Sequence, residues 1–281
     1  MKFSTAIEIR PSALQISDKD RILMLGSCFA DEMAARMKAS GLNVCANPFG
    51  TLYNPASIAA ALERLESRTP FSEADCVEMG AGAGKICSFS HHTSFARTSQ
   101  SEFLEHANAE LSAAADAWAS SPILILTLGT ALVWRLREDG RAVANCLKRP
   151  AAEFTHDMLT VAETAEYLRQ ILALAGRRKV IFTVSPVRHP GEGMHRNSLS
   201  KATLLLGLDE ALRGTDGAAY FPAYEIVLDE LRDYRFFADD LCHPSKMAAD
   251  YVWERFCDAF LSAEDKEKAR LTAKRASHKA L

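Results

Sequence analysis

Arg21-Ile22-Leu23-Met24-Leu25-Gly26-Ser27-Cys28-Phe29-Ala30 decides the reading of the fold. The apolar run from Ile22 to Leu25 stops at a glycine, as a buried parallel strand does. Phe29, Met33 and Met37 then recur every four residues and Gly41 follows, which predicts a helix with one apolar stripe and a glycine stop. The same alternation repeats along the chain. Strands are expected at Ile123–Leu128, ending at Gly129, at Val180–Val184, ending at Ser185-Pro186, and at Ala218–Phe221. Helices are expected from about Glu102 to Trp118 and from about Val161 to Leu174, the second closed by Gly176. Strands alternating with helices imply parallel pairing with helices on both faces. The fold class is therefore α/β, a three-layer α/β/α sandwich with a mostly parallel central sheet.

Other segments are less regular. Asn47-Pro48-Phe49-Gly50 and Tyr53-Asn54-Pro55 are turn signals, with a helix from Pro55 to Leu65 after them. Residues 71–95 mix glycines, two histidines and short apolar pairs, and are expected to form an irregular or hairpin insert. Residues 1–262 read as one domain and 263–281 as a charged tail, a solvated helix or a frayed end.

Composition removes several classes. The 281 residues carry 33 Lys+Arg against 36 Asp+Glu, a net charge of −3, so bulk electrostatic binding of nucleic acid is not expected. No apolar run approaches the ~18 residues of a membrane span. The first 22 residues carry Glu8, Arg10, Asp18, Lys19 and Asp20 and lack the apolar stretch of a signal peptide. Seven cysteines, an odd number without Cys-x-x-Cys spacing, suit reduced thiols and a cytoplasmic location.

Two segments could carry chemistry. Ligands of a parallel sheet bind beyond the carboxyl ends of its strands, and Ser27 stands at such an end, just before a helix N-terminus. A nucleophile there would have an exposed hydroxyl and a following N–H to serve an oxyanion. The alternative is that Gly26 and Ser27 only turn the chain and cap the helix. Asp240-Leu241-Cys242-His243-Pro244-Ser245 places a carboxylate three residues before an imidazole. One ring nitrogen can then donate to the carboxylate while the other faces a nucleophile; a local turn or capping pair is the competing reading. Pro244 suits a helix start, with Ala248, Val252, Phe256 and Phe260 as its apolar stripe. Together, Ser27, Asp240 and His243 form a nucleophile, orienter and base.

At these residues the sequence resembles the GSCFA family, within the SGNH/GDSL hydrolase superfamily. Gly26-Ser27-Cys28-Phe29-Ala30 is the naming motif. Asn47-Pro48-Phe49-Gly50-Thr51, Leu128-Gly129-Thr130-Ala131, Thr183-Val184-Ser185-Pro186-Val187-Arg188-His189, Tyr220 to Glu225, Asp229 to Phe236 and Asp240 to Ser245 look like further family segments. The similarity spans roughly residues 3–260. It implies a flavodoxin-like fold with a nucleophilic serine in a Gly-Asp-Ser motif after the first strand; Leu25 and Gly26 are set where Gly-Asp would be, which makes Ser27 that serine. The superfamily's Asp-x-x-His block matches Asp240 and His243. Its oxyanion blocks match poorly. Ala131 stands where an asparagine is expected, and losing one such donor can cost roughly 10²–10³ in rate. Replacement donors or substrate contacts are sought at Thr130, Asn145, His91 or His92, with Cys28, Gly129 and, by position alone, Gly50. Leu147 departs from a family histidine.

Competing readings accompany several residues. Cys28 could itself be the nucleophile, its thiol acidified at the helix start, or a small buried side chain. Cys242 reads as core. His91 and His92, adjacent on a strand, would face opposite ways and cannot readily share a metal; no metal site or cofactor is expected. The loop Pro190-Gly191-Glu192-Gly193, between His189 and His195, could cover a cleft or be plain surface. Arg188 could bind an anionic group or pair with a carboxylate. Gly80 to Lys85 lacks phosphate-loop spacing, and Leu231 to Arg235 reads as an ion-paired support for Asp240. The expectation is a serine ester hydrolase acting through an acyl-enzyme on a small-molecule or glycan acyl ester, an O-acetylated carbohydrate by superfamily analogy. An acyltransferase with the same triad, or a non-catalytic ligand-binding protein on the same fold, are the alternatives.

Overall fold

The computed structural model describes residues 4–279. The chain runs β1 (Arg21–Gly26), α1 (Cys28–Ala39), β2 (Asn43–Ala46), α2 (Pro55–Ser67), β3 (Val77–Glu78), β4 (Ile86–Cys87) and α3 (Gln100–Ser120). It continues with β5 (Ile123–Leu128), β6 (Leu132–Leu136), β7 (Ala142–Val143), β8 (Phe154–Met158), α4 (Val161–Ala175), β9 (Lys179–Val184) and α5 (Met194–Leu212). Last come β10 (Ala218–Tyr220), the short α6 (Ala223–Glu225), α7 (Lys246–Phe260) and α8 (Ala263–Lys279).

Five strands form the central sheet in the order β10-β9-β5-β1-β2, every pair parallel. Order reverses between β1 and β5, the place where a doubly wound sheet opens its ligand crevice. Ile22 lies opposite Ile123 and Gly26 opposite Thr127, so β1 and β5 end side by side.

Side-chain alternation explains why both faces are covered. Leu23 and Leu25, with Leu124, Leu126 and Leu128, pack under α2, α3, α4 and α5. Ile22 and Met24, with Ile123, Ile125 and Ile181, pack under α1 and α7. Successive residues of a strand point to opposite faces, so a strand apolar at every position needs helices on both. The fold is the three-layer α/β/α sandwich expected from the strand–helix alternation.

The hairpin expected within residues 71–95 is the antiparallel pair β3–β4. The sequence reading did not identify α5, nor the small antiparallel sheet β7-β6-β8. The C-terminal segment is a helix, charged and mostly exposed, yet Ala269 is buried and Thr272 sits beside Gly41 at the end of α1.

Candidate active site

The site begins where β1 stops. Gly26 has φ +149°, and a Cβ there would stand 2.2 Å from the Thr127 carbonyl oxygen, so no side chain fits. Its N–H donates to Asn47 Oδ1 at 2.8 Å, and the Ser27 N–H donates to Thr127 O at 3.1 Å. Asn47 in turn donates from Nδ2 to Asp31 Oδ1 at 2.8 Å, so one amide ties the strand end to α1.

Ser27 is the N-cap of α1, and its Oγ accepts from Phe29 N at 3.3 Å. The side chain is fully buried, with Gly129 packed against it. The hydroxyl expected to project from the turn is folded back into the helix start, which is where capping geometry sends it. Cys28, the first helical residue, is partly exposed, and its Sγ lies 3.3 Å from His243 Nε2. The residue that meets the imidazole is Cys28.

The imidazole comes from the loop between α6 and α7. His243 Nδ1 lies 2.6 Å from Asp240 Oδ2. Asp240 Oδ1 accepts the backbone N–H groups of Cys242 (2.9 Å) and His243 (3.0 Å). Those three hydrogen bonds hold the Asp240 carboxyl down at about 2, so it is ionised at any working pH. An ionised Asp240 can only accept, which makes Nδ1 the donor and leaves Nε2 free toward the thiol.

The loop is clamped from below. Ala238 N donates to His243 O and Ser245 N to Phe236 O, both at 2.8 Å, and the Ser245 hydroxyl caps α7. Arg188 N donates to Cys242 O, and the Arg188 guanidinium donates to Leu241 O and lies over the rings of Phe237 and Tyr234 at 4.6 and 5.2 Å. Arg188 thus binds carbonyls and rings of this chain, and among the described residues it pairs with no carboxylate.

Two clefts meet at the Cys28–His243 pair. One, of about 360 Å³, is lined by Tyr53, Thr130, Trp134, Asn145, His156 and His189 among others. The Trp134 and His156 rings are stacked at 3.9 Å, and His156 Nδ1 faces Glu192 Oε1 at 3.2 Å. The other, of about 540 Å³, runs between α1 and α7 and is mostly apolar, with Phe29, Ala35, Ala39, Val187 and Ala249.

The remaining sequence candidates separate. Asn145 lines the first cleft; its Oδ1 accepts from Leu147 N at 2.8 Å, which turns the amide NH₂ away from that bond. The N–H groups of Gly129 and Thr130 both donate to Tyr53 O at 2.8 Å, and that of Gly50 donates to Asn47 O. All three are spent within the protein and cannot serve an oxyanion. The Thr130 hydroxyl bonds Ser200 Oγ at 2.9 Å. His91 is fully buried among phenylalanines. His92 caps the short helix at Thr93–Phe95 through Nδ1 and lines neither cleft.

Sequence reasoning missed a set on α5. Asn197 Oδ1 accepts His189 N at 3.0 Å, Ser200 Oγ accepts Ala131 N at 2.7 Å, and Lys201 Nζ donates to Gly129 O (2.6 Å) and Ser185 O (2.7 Å). All three residues are buried. The signal was legible: polar residues at i, i+3 and i+4 on the side of a helix that also carries Leu204 and Leu208.

The fold and this edge define a doubly wound α/β sandwich with a thiol, imidazole and carboxylate in line at the carboxyl end of its parallel strands. The chain belongs to the GSCFA family, whose model matches residues 21–256. Comparison with curated proteins gives no match. Among solved structures it is similar to an acetyl xylan esterase (Est2A) from the rumen bacterium Butyrivibrio proteoclasticus, with 9% identity and a TM-score of 0.42. The match covers 88% of this chain and 64% of that one, so the chain spans less than two thirds of the esterase's length. Among the described residues no helix is long and apolar enough to cross a membrane, and no cluster of three or more metal-ligating side chains occurs.

Proposed function

We propose that the protein transfers acyl groups from small esters to water through a thioester on Cys28. The observation that carries this is the 3.3 Å approach of Cys28 Sγ to His243 Nε2, on an imidazole already oriented by Asp240. Ser27, the nucleophile expected from sequence, is sealed in the helix cap and is assigned a structural role.

The chemistry follows from the resting charges. Burial and the nearby Asp31 push the Cys28 thiol up, so the resting sulfur is a thiol that needs a base. As sulfur attacks the ester carbonyl carbon, the S–H proton passes to His243 Nε2. Asp240 stabilises the imidazolium and stays ionised itself. The oxyanion is met by the Cys28 N–H at the start of α1 and by the Asn145 amide on the cleft wall. His243 then gives its proton to the departing alcohol oxygen. A water, deprotonated by the same imidazole, opens the thioester and frees the acid. The polar and aromatic cleft suits a small acylated alcohol or sugar. Acyl transfer uses the same residues, and the thiol favours it, because a thioester is a better donor toward amines and thiols than an oxygen ester is.

The test is turnover of p-nitrophenyl acetate by wild type, Cys28→Ala and Ser27→Ala, with mass spectrometry of the acylated peptide. Cys28→Ala is expected to lose turnover by about 10³-fold or more and to accumulate no acyl-enzyme. Ser27→Ala keeps turnover within about tenfold of wild type, as expected for a cap residue remote from bond making. A silent Ser27→Ala beside an active Cys28→Ala would overturn the assignment. Product that appears only with an added amine or thiol acceptor selects transfer over hydrolysis.

A further inference from the structure

The cleft of about 360 Å³ beside the Cys28–His243 pair has a wall that the bond-making step does not use. Trp134 on β6 lies directly opposite His156 on β8, and their rings stack at 3.9 Å with 5° between the planes. Phe154, also on β8, stands across Trp134 at 5.9 Å. Behind the stack, His156 Nδ1 faces Glu192 Oε1 at 3.2 Å. Arg196 Nε holds the other Glu192 oxygen at 3.5 Å, and its Nη2 donates to His156 O at 3.3 Å. Trp134 and His156 are half-buried and both line the cleft. A wall held on several sides has little freedom left to lose when a ligand packs against it.

His189 lines the same cleft, and its buried Nε2 has no partner among the described residues. Burial, with Lys201 and His243, holds this ring down at about 4, so it is uncharged. A buried ring nitrogen left without a partner is costly, and a ligand hydroxyl would recover the missing hydrogen bond. Burial also lowers His156, against the pull of Glu192, so that ring is uncharged at neutral pH. Charge narrows the ligand further. Besides the histidines, Arg188 and Glu192 are the charged side chains of the lining. Arg188 is engaged on Leu241 O and on the rings of Phe237 and Tyr234, and Glu192 is matched by Arg196. Neither charge is left for a charged ligand. The wall therefore offers flat aromatic surface and hydrogen bonding without charge.

We propose that Trp134, His156 and His189 form the subsite for the alcohol half of the ester, and that this half is an uncharged pyranose ring. The inference rests on the acyl-transfer reading for what the Cys28–His243 pair does to the ester. The C–H face of the ring packs on the Trp134–His156 wall, and its hydroxyls bond the imidazole nitrogens. A linear polyol would have to freeze its torsions on the same wall, which a ring does not. No bond forms or breaks at these three residues. They set specificity, and the proton on the departing oxygen still comes from His243.

The test compares kcat/KM for ethyl acetate, for triacetin as a linear polyol ester, and for the peracetylated pyranoses of glucose, galactose, mannose and xylose. Wild type is expected to prefer at least one sugar ester over both others by about tenfold or more. Trp134→Ala should lower that preference, read as the ratio to ethyl acetate within each variant, by about tenfold. His156→Phe and His189→Phe keep a ring in place and should each lower it by about threefold to tenfold. If Trp134→Ala does not fold, the two phenylalanine variants carry the test. A ratio unchanged in the folded variants, or a wild type that takes triacetin as readily as every sugar ester, would overturn the proposal. A second readout needs no ester turnover: alkylation of Cys28 by iodoacetamide, followed by mass spectrometry of its peptide, with the methyl glycosides of the same sugars as competitors. At least one glycoside should slow alkylation of wild type, and slow it less in His156→Phe. Alkylation that no glycoside slows overturns the subsite. Protection by a glycoside in a protein that hydrolyses none of the esters would sink the acyl-transfer reading and leave the subsite standing.

Discussion

His91 and His243 have the same local grammar and opposite chemistry. Each has its Nδ1 against the side chain three residues earlier: Ser88 Oγ at 2.7 Å for His91, Asp240 Oδ2 at 2.6 Å for His243. His91 is fully enclosed, stacked on Phe95 at 4.5 Å and near Phe71 and Phe49, and its Nε2 has no partner among the described residues. Burial, helped by Arg64 and His106, drives it down to about 3, so it stays neutral. His243 is about half exposed, carries a carboxylate behind it and meets a thiol in front. Ring orientation is therefore common to both. A base needs two further things, a charge that can stabilise its protonated form and a proton source at the other nitrogen.

The largest expected effect comes from removing that charge. Asp240→Asn keeps the side chain's shape but turns the His243 site into something closer to the Ser88–His91 pair. Turnover of p-nitrophenyl acetate should fall by about 10²–10⁴-fold, with the wrong tautomer and no stabilised imidazolium. Stability should change little, because Asp240 is exposed. Turnover within threefold or so of wild type would mean that the carboxylate is only a loop brace.

The mirror experiment is His91→Leu. The ring fills a phenylalanine cage, so leucine fits by volume, but the buried Ser88 hydroxyl loses its ring partner. Destabilisation of about 1–3 kcal/mol in urea unfolding is expected, with turnover essentially that of wild type. Loss of activity in a folded His91→Leu would place His91 in the chemistry after all.

The sequence made the sheet legible because β1, β5 and β9 are apolar at nearly every position and each ends on a turn residue. It made Asp240 and His243 legible because three residues on one turn is a local relation. The sequence reading put the candidate nucleophile at Ser27, whose hydroxyl accepts from the Phe29 N–H, while the neighbouring Cys28 Sγ faces the imidazole. Setting Leu25-Gly26-Ser27 against Gly-Asp-Ser overlooked that the residue which cannot carry a side chain at the strand end is Gly26. With Gly26 as the glycine, the second residue after it is Cys28, and the N-cap Ser27 turns its hydroxyl back to the Phe29 N–H. The partners of the buried Lys201 were illegible for a different reason. Its acceptors, the carbonyls of Gly129 and Ser185, follow two different strands, and only tertiary packing brings them to one lysine.

Acid sharpens the contrast between the two histidines. The native pKa of His91 is depressed to about 3, below the ~6.5 of an unfolded histidine. Between those values the unfolded chain binds a proton that the native protein refuses. Stability is therefore present above about pH 6.5 and lost as pH falls toward 3. Among the described residues Asp75 opposes this shift. From pH 7.5 to 5 wild type should lose about 2 kcal/mol through His91 alone, an amount set by the unfolded pKa as long as the native one lies well below 5. The gap between wild type and His91→Leu should narrow by that amount over the same range in urea unfolding. A constant gap would mean that the cage admits a proton.

The smallest effect separates the two adjacent residues at the strand end. Ser27 contributes one hydrogen bond to the Phe29 N–H and fills a space bounded by Gly129. Ser27→Ala leaves that N–H uncapped and removes a single buried hydroxyl, at a cost of about 1 kcal/mol, within the ordinary range for N-caps. Cys28→Ser moves a hydroxyl to the place where the thiol meets His243 and leaves the cap intact. It should unfold at nearly the wild-type urea concentration. The pair of variants thus dissociates stability from turnover at neighbouring positions. Should Ser27→Ala be as stable as wild type and Cys28→Ser be the weakened one, the cap would not hold the start of α1, and the reason for the inward turn of Ser27 would have to be sought in its packing against Gly129.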